Sequence, residues 1–128
     1  MTQNPMTRTL LIVDDEPEIR AEMAEYFEGK GYRVEQAADG LEALDKIEAA
    51  LPDVVITDLK MPHCDGFELI KRLHALDTGL PIVAVAGTFS HEDLERAGDL
   101  GARVTMRKPI RLRELAETLR ALLEPSEN

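Results

Sequence analysis

A chain of 128 residues has length for one domain, and 44% hydrophobic residues supply a core rather than a disordered polymer. Its 25 acidic against 15 basic residues leave a net charge of −10, which repels nucleic acid and anionic membranes at long range and suits a cation held at a local acidic cluster. No apolar run approaches the roughly 20 residues of a membrane helix, the polar start Met1-Thr2-Gln3-Asn4-Pro5 is no secretory signal, and the single Cys64 cannot form an internal disulfide, which suits the cytoplasm.

Residues 1–7 read as a flexible N-terminal tail, with Met6 as an alternative start. Leu10-Leu11-Ile12-Val13 is too short for a buried helix and reads as a central strand, stopped by Asp14-Asp15-Glu16. Asp15 with Glu18 has the spacing of a helix N-cap, Pro17 fits a first turn, and Ile19, Met23 and Phe27 give the helix one apolar stripe before Gly31 ends it. Residues 32–36 predict a weaker strand near a sheet edge. Asp39 with Glu42 caps a second helix, whose apolar side is Leu41, Leu44, Ile47 and Leu51, and Pro52 stops it.

Val54-Val55-Ile56-Thr57, β-branched throughout, predicts a strand buried on both faces that ends on a carboxylate, Asp58. Pro62 and Gly66 then break the chain into a loop. Asp65 with Glu68 caps a third helix with the stripe Phe67, Ile70, Leu73 and Leu76. Residues 82–85 predict a fourth strand, running into the small Ala86 and Gly87. Ser90 caps a fourth helix that has only Leu94 and Leu100 as large apolar residues and is therefore weakly anchored. Residues 103–107 predict a fifth strand, Val104 and Met106 alternating with Thr105. Leu112, Leu115, Leu119 and Leu122 form the stripe of a final helix, and residues 125–128 read as a tail. The alternation of strand and helix calls for a parallel sheet of about five strands with helices on both faces and right-handed crossovers.

Ligands of such sheets bind beyond the carboxyl ends of the strands. Asp14, Asp15 and Asp58 all end central strands, so neighbouring strands would bring these carboxylates together. Like charges so placed repel, and a divalent cation removes the conflict. Mg²⁺ fits, because it takes oxygen ligands and partners phosphates. Lys108, ending another strand, adds a second positive charge. A carboxylate between a metal ion and an ammonium can attack a phosphoryl group. Asp65 reads as a helix cap rather than a metal ligand, and His63-Cys64 as a loop pair.

The segments Leu11-Ile12-Val13-Asp14-Asp15-Glu16-Pro17, Val55-Ile56-Thr57-Asp58-Leu59-Lys60-Met61-Pro62-His63-Cys64-Asp65-Gly66 and Lys108-Pro109 closely resemble the receiver domain of two-component response regulators. The resemblance spans residues 8–124. It implies a flavodoxin-like, doubly wound (βα)5 fold with strand order 2-1-3-4-5. It implies that Asp58 accepts phosphate from a phosphohistidine of a histidine kinase or histidine phosphotransfer protein. It also implies that Asp15, Asp58 and the backbone carbonyl of Lys60 bind Mg²⁺ with help from Asp14, and that Lys108 contacts the phosphoryl oxygens. The output would pass to a downstream protein through the fourth helix, fifth strand and fifth helix, with no direct nucleic-acid or membrane contact.

Two positions depart from the family pattern. A Thr or Ser usual at the end of the fourth strand is Ala86, and an aromatic residue usual midway along the fifth is Thr105. Phosphoryl transfer needs neither side chain, but both parts of the usual switch are replaced together. The backbone N–H of Gly87 or the hydroxyl of Thr88 is the expected substitute donor.

A stand-alone phospho-acceptor that is not an enzyme on other substrates is the leading expectation, since only residues 124–128 follow the last predicted helix. A phosphorylation-independent interaction module and a fragment of a larger regulator or hybrid kinase are the alternatives. A phosphohydrolase acting through an aspartyl phosphate would carry a second acid where Lys60 stands. A nucleotide or flavin site would need a Gly-rich turn after Val13.

Overall fold

Val54–Asp58 (β3) is buried along its whole length, as a β-branched run with helices above and below must be. Thr9–Val13 (β1) and Ile82–Ala86 (β4) flank it, and Arg33–Ala37 (β2) and Val104–Arg107 (β5) form the edges of a parallel sheet of order β2-β1-β3-β4-β5. The strands alternate with α1 (Pro17–Gly29), α2 (Gly40–Ala49), α3 (Gly66–Ala75), α4 (His91–Leu100) and α5 (Leu112–Leu123). This is the flavodoxin-like, doubly wound arrangement that the resemblance implies. The computed structural model describes residues 7–76, 78–87 and 91–124. The expected cap Ser90, the candidate donor Thr88, residues 1–6 and the tail 125–128 lie outside the described residues. Among the described residues, no helix is long and apolar enough to cross a membrane.

Period-2 alternation along the strands divides the core between two faces. Leu10, Ile12 and Ile56 meet Met23 and Phe27 of α1 and Leu115 and Leu119 of α5. On the opposite face Leu11, Val55 and Ala84 meet Ala43 and Ile47 of α2, Ile70 and Leu73 of α3 and Ala97 of α4. Phe27, Leu115 and Leu119 are completely buried, and each such side chain contributes about 1.5–3 kcal/mol. Ala97 is the sole fully buried residue of α4, so α4 is indeed the weakly anchored helix.

Several local expectations need correction. Asp15 does not cap α1. The N-cap is Glu16, without a side-chain bond, and Pro17 opens the helix. Asp14 takes the Glu16 N–H on its Oδ1 at 2.8 Å instead, and Pro17 has no N–H to cap. The inward side of α2 is the expected one only in part. Ile47 is buried and Leu44 packs against the core as read, but Gly40 and Ala43 complete the inward face, while Leu41 and Leu51, the latter beyond the helix end, are exposed. The reason is a backbone approach: Gly40 N–H donates to Cys64 O at 3.0 Å, and a Cβ on Gly40 would stand 2.5 Å from Cys64 Sγ. Leu76 is exposed as the C-cap of α3.

The caps at α2 and α3 are as read. Glu42 N–H donates to Asp39 Oδ1 and Glu68 N–H to Asp65 Oδ1, both at 2.9 Å. Asp39 also meets His63 Nδ1 at 2.9 Å. The Glu42 N–H, followed by His63, holds the Asp39 carboxyl below its ordinary value of 3.8. Its contribution is therefore present above that value and lost as pH falls through the lower folded one. Asp39→Ala should cost about 1 kcal/mol at pH 7, and urea midpoints of the two proteins should converge as pH falls through the lowered folded value.

Candidate functional site

Strand register brings the acids together. Val13 pairs with Thr57 between β1 and β3, so the next residues, Asp14 just past β1 and Asp58 at the end of β3, stand side by side. One carboxylate oxygen from each of Asp14, Asp15 and Asp58 lies within 4.8 Å of the others. Asp14 is 4% exposed and Asp58 9%, while Asp15 is exposed.

Lys108 enters from the end of β5. Its N–H donates to Ala86 O at 2.7 Å, which fastens it to the end of β4, and its peptide bond to Pro109 is cis. Its Nζ stands 3.2 Å from Asp58 Oδ2, 3.4 Å from Asp14 Oδ2 and 3.7 Å from Glu16 Oε1. Burial works against the ammonium, but Asp58 and Asp14 outweigh it and hold the Lys108 pKa above its ordinary value. Burial pushes Asp58 the other way, above the ordinary carboxylate range, Asp14 adds to this, and Lys108 opposes it. Ile12, Ile56 and Val85 wall the adjoining cavity of about 220 Å³, so this group has an apolar flank.

The main chain around Asp58 is held in place. Leu59 N–H donates to its Oδ1 at 2.8 Å, and Thr57 Oγ1 donates to its carbonyl at 2.8 Å. Gly66, opening α3, lies directly against that carbonyl. Lys60 is exposed two residues further on. Gly87 borders the site, since a Cβ there would lie 3.9 Å from Lys108 Cδ. Ala86 is buried at the end of β4, and Thr105 is exposed in a groove between α4 and β5.

Glu16 and Arg20 were not singled out from the sequence, yet both touch this cluster. Arg20 Nη1 donates to Asp14 O at 2.6 Å. The available signal was charge: Arg20 is the only basic residue in Pro17–Gly29. The donor set of carboxylate oxygens with one ammonium leaves negative charge uncompensated, and it fits a hard divalent cation such as Mg²⁺.

Comparison with known proteins agrees with this geometry. Sporulation initiation phosphotransferase F of Bacillus subtilis is 32% identical over 123 residues, covering 96% of this chain and 99% of that protein. Response regulator MprA of Mycobacterium tuberculosis is 36% identical over 118 residues, covering 92% of this chain but 51% of that protein, so the chain spans about half its length. Among solved structures, a CheY-like response regulator receiver domain protein from Methanospirillum hungatei superposes with a TM-score of 0.87 at 33% identity, covering 91% of this chain and 94% of that one. Chemotaxis protein CheY4 of Vibrio cholerae gives 0.83 at 35% identity, covering 91% and 98%. Residues 10–120 match the family model of the response regulator receiver domain, and with the sheet order and the acidic cluster in place the chain belongs to that family, a phospho-acceptor domain of two-component signalling.

Proposed function

We propose that this receiver takes a phosphoryl group on Asp58 from a phosphohistidine and signals through protein–protein contact. The supporting observation is the Lys108 ammonium 3.2 Å from Asp58 Oδ2, inside a group of converging carboxylates. An Asp58 oxygen attacks phosphorus, the new O–P bond forms as the P–N bond to histidine breaks, and the histidine nitrogen keeps the electron pair. Lys108 exchanges its carboxylate contact for a phosphoryl oxygen and steadies the charge developing there. Asp15, Asp58 and the Lys60 carbonyl would hold Mg²⁺ with Asp14 beside them; when bound, the ion supplies charge neutralisation at the phosphoryl oxygens. The donor of the phosphoryl group is a histidine kinase or a histidine phosphotransfer protein, and the chain works in the cytoplasm.

The output surface is α4, β5 and α5. Support comes from the loose hold on α4 and from the open groove at Thr105, where an aromatic side chain would otherwise stand. Local openings begin in elements with few buried contacts. With Ala86 in place of a hydroxyl, the Gly87 N–H or the Thr88 hydroxyl partly replaces the donor to the bound phosphoryl group. A charge-assisted hydrogen bond is worth about 1.5–3 kcal/mol, the scale of a whole allosteric coupling of about 1–3 kcal/mol.

A small acyl phosphate in Mg²⁺ should add the mass of one phosphoryl group to the intact protein, and chelation should prevent it. Amide shifts should follow in Gly87, α4 and α5, and shrink in Thr88→Ala. A mass that stays constant points to the second reading, a phosphorylation-independent interaction module, which the joint replacement at Ala86 and Thr105 favours.

A further inference from the structure

We propose that Arg20 is a positioning residue for the acidic pair Asp14 and Asp15, acting on the peptide group that joins them. The inference rests on the reading of these acids as a divalent-cation site. Arg20 lies half-buried in the first turns of α1. Its Nη1 donates to the main-chain oxygen of Asp14 at 2.6 Å, and its Nε donates to Gln36 Oε1 on β2 at 3.2 Å. The fork of one guanidinium thus spans α1, the turn after β1 and the edge strand.

Asp14 is fastened at every other polar group. Its N–H still donates to Ala37 O at 3.1 Å. Its Oδ1 accepts from Glu16 N–H at 2.8 Å, and its Oδ2 faces Lys108 Nζ at 3.4 Å. Its carbonyl lies past the last residue of β1, outside the strand ladder, and Arg20 supplies the partner. That carbonyl shares a rigid plane with the N–H of Asp15. Fixing one oxygen therefore fixes the direction in which the exposed Asp15 leaves the chain. If the plane tilts, the Asp15 carboxylate swings away from Asp14 and Asp58.

Charge and geometry make opposite demands here, so the inference has a definite sign. A guanidinium beside a cation site, acting by charge alone, weakens cation binding, and its removal should tighten Mg²⁺. A guanidinium that orients the ligands strengthens binding, and its removal should weaken Mg²⁺ by 10–100-fold, the range for partners that orient metal ligands. Lysine keeps the charge but cannot bond both acceptors as one planar fork.

The test is a Mg²⁺ titration of the whole chain without phosphodonor, followed by amide chemical shifts, for wild type, Arg20→Met, Arg20→Lys and Gln36→Leu. Amide exchange of Glu16 in metal-free buffer is measured alongside. Arg20→Met should weaken Mg²⁺ at least tenfold, Arg20→Lys and Gln36→Leu by a few-fold, and Glu16 exchange should rise in the same order. Unchanged or tighter Mg²⁺ in a folded Arg20→Met overturns the proposal. Should that variant not fold, Arg20→Lys and Gln36→Leu decide in the same way. If wild type itself binds no Mg²⁺, the cation reading fails on its own. Glu16 exchange then decides separately: faster exchange in the variants upholds Arg20 as the fastener of the turn, and unchanged exchange rejects it.

Discussion

Asp58→Asn should yield a protein that is folded, more stable at neutral pH without metal, and unable to take a phosphoryl group. Burial, with Asp14 adding and Lys108 opposing, lifts the Asp58 carboxyl above its ordinary value of 3.8. The folded chain then binds this proton more tightly than the unfolded chain does. Stability from Asp58 is full below 3.8 and falls as pH rises through the higher folded value. At pH 7 the ionised group opposes folding, and a neutral side chain of the same shape relieves that and raises Tm. Lys108 keeps Asp14 and Glu16 as partners. Saturating Mg²⁺ should reverse the order, since a ligand at a hundredfold its Kd adds about 2.7 kcal/mol to the protein that binds it. Thermal unfolding in chelator and in Mg²⁺, at pH 7 and near pH 3, measures the crossing. Intact mass after phosphodonor treatment measures the chemistry. A lower Tm for the variant in chelator at pH 7 would show that the ion pair outweighs burial, and a phosphorylated variant would remove Asp58 as the acceptor.

Gly66→Ala should be the most damaging small substitution in the loop, at about 3 kcal/mol. The added Cβ would collide with Asp58 O and stand 2.7 Å from Leu59 Cα. Both obstacles are backbone, so no side chain can rotate aside. Gly66 N–H also donates to Leu59 O at 2.8 Å, and relief of the collision pulls on that bond and on the carbonyl of Asp58. Tm should drop by roughly 10 °C, at the roughly 4 °C per kcal/mol expected between the smaller and the larger single domains. Gly98→Ala is the informative contrast. It lies inside α4 with nothing within 4 Å of the new atom, and should gain about 0.5–1 kcal/mol from helix propensity alone. Equal effects at both positions would mean that crowding at Gly66 is not the cause.

These contrasts indicate which features a sequence discloses. β3 was legible because Val54 to Thr57 are bulky on both faces, a pattern that few helices or half-exposed strands share. The Asp39 and Asp65 caps were legible because a side-chain oxygen reaching the N–H three residues on is a local event. The sheet order and the meeting of Asp14, Asp15 and Asp58 followed from strand ends and from the quoted motifs. The side of α2 was legible only at Leu44 and Ile47. Leu41 and Leu51 are equally large yet exposed, and the helix turns Gly40 and Ala43 inward because another backbone, at Cys64, must come close. Glu16 and Arg20 were missed for a related reason. Their partners are a lysine at position 108 and a carbonyl freed by the end of β1, and neither leaves a mark in periodicity.

The interlock of Gly40 with Cys64 gives the protein a built-in stopwatch. The thiol is 4% exposed, burial lifts its pKa above the ordinary 9.0, and the start of α2 sits over it. Cys64 lines a surface groove with Leu41, His63 and Asp65, and its alkylation should speed up whenever the segment between Asp58 and α3 parts from α2. The rate of labelling should therefore follow excursions of the segment that leads on from Asp58, read out on a residue outside the acidic cluster.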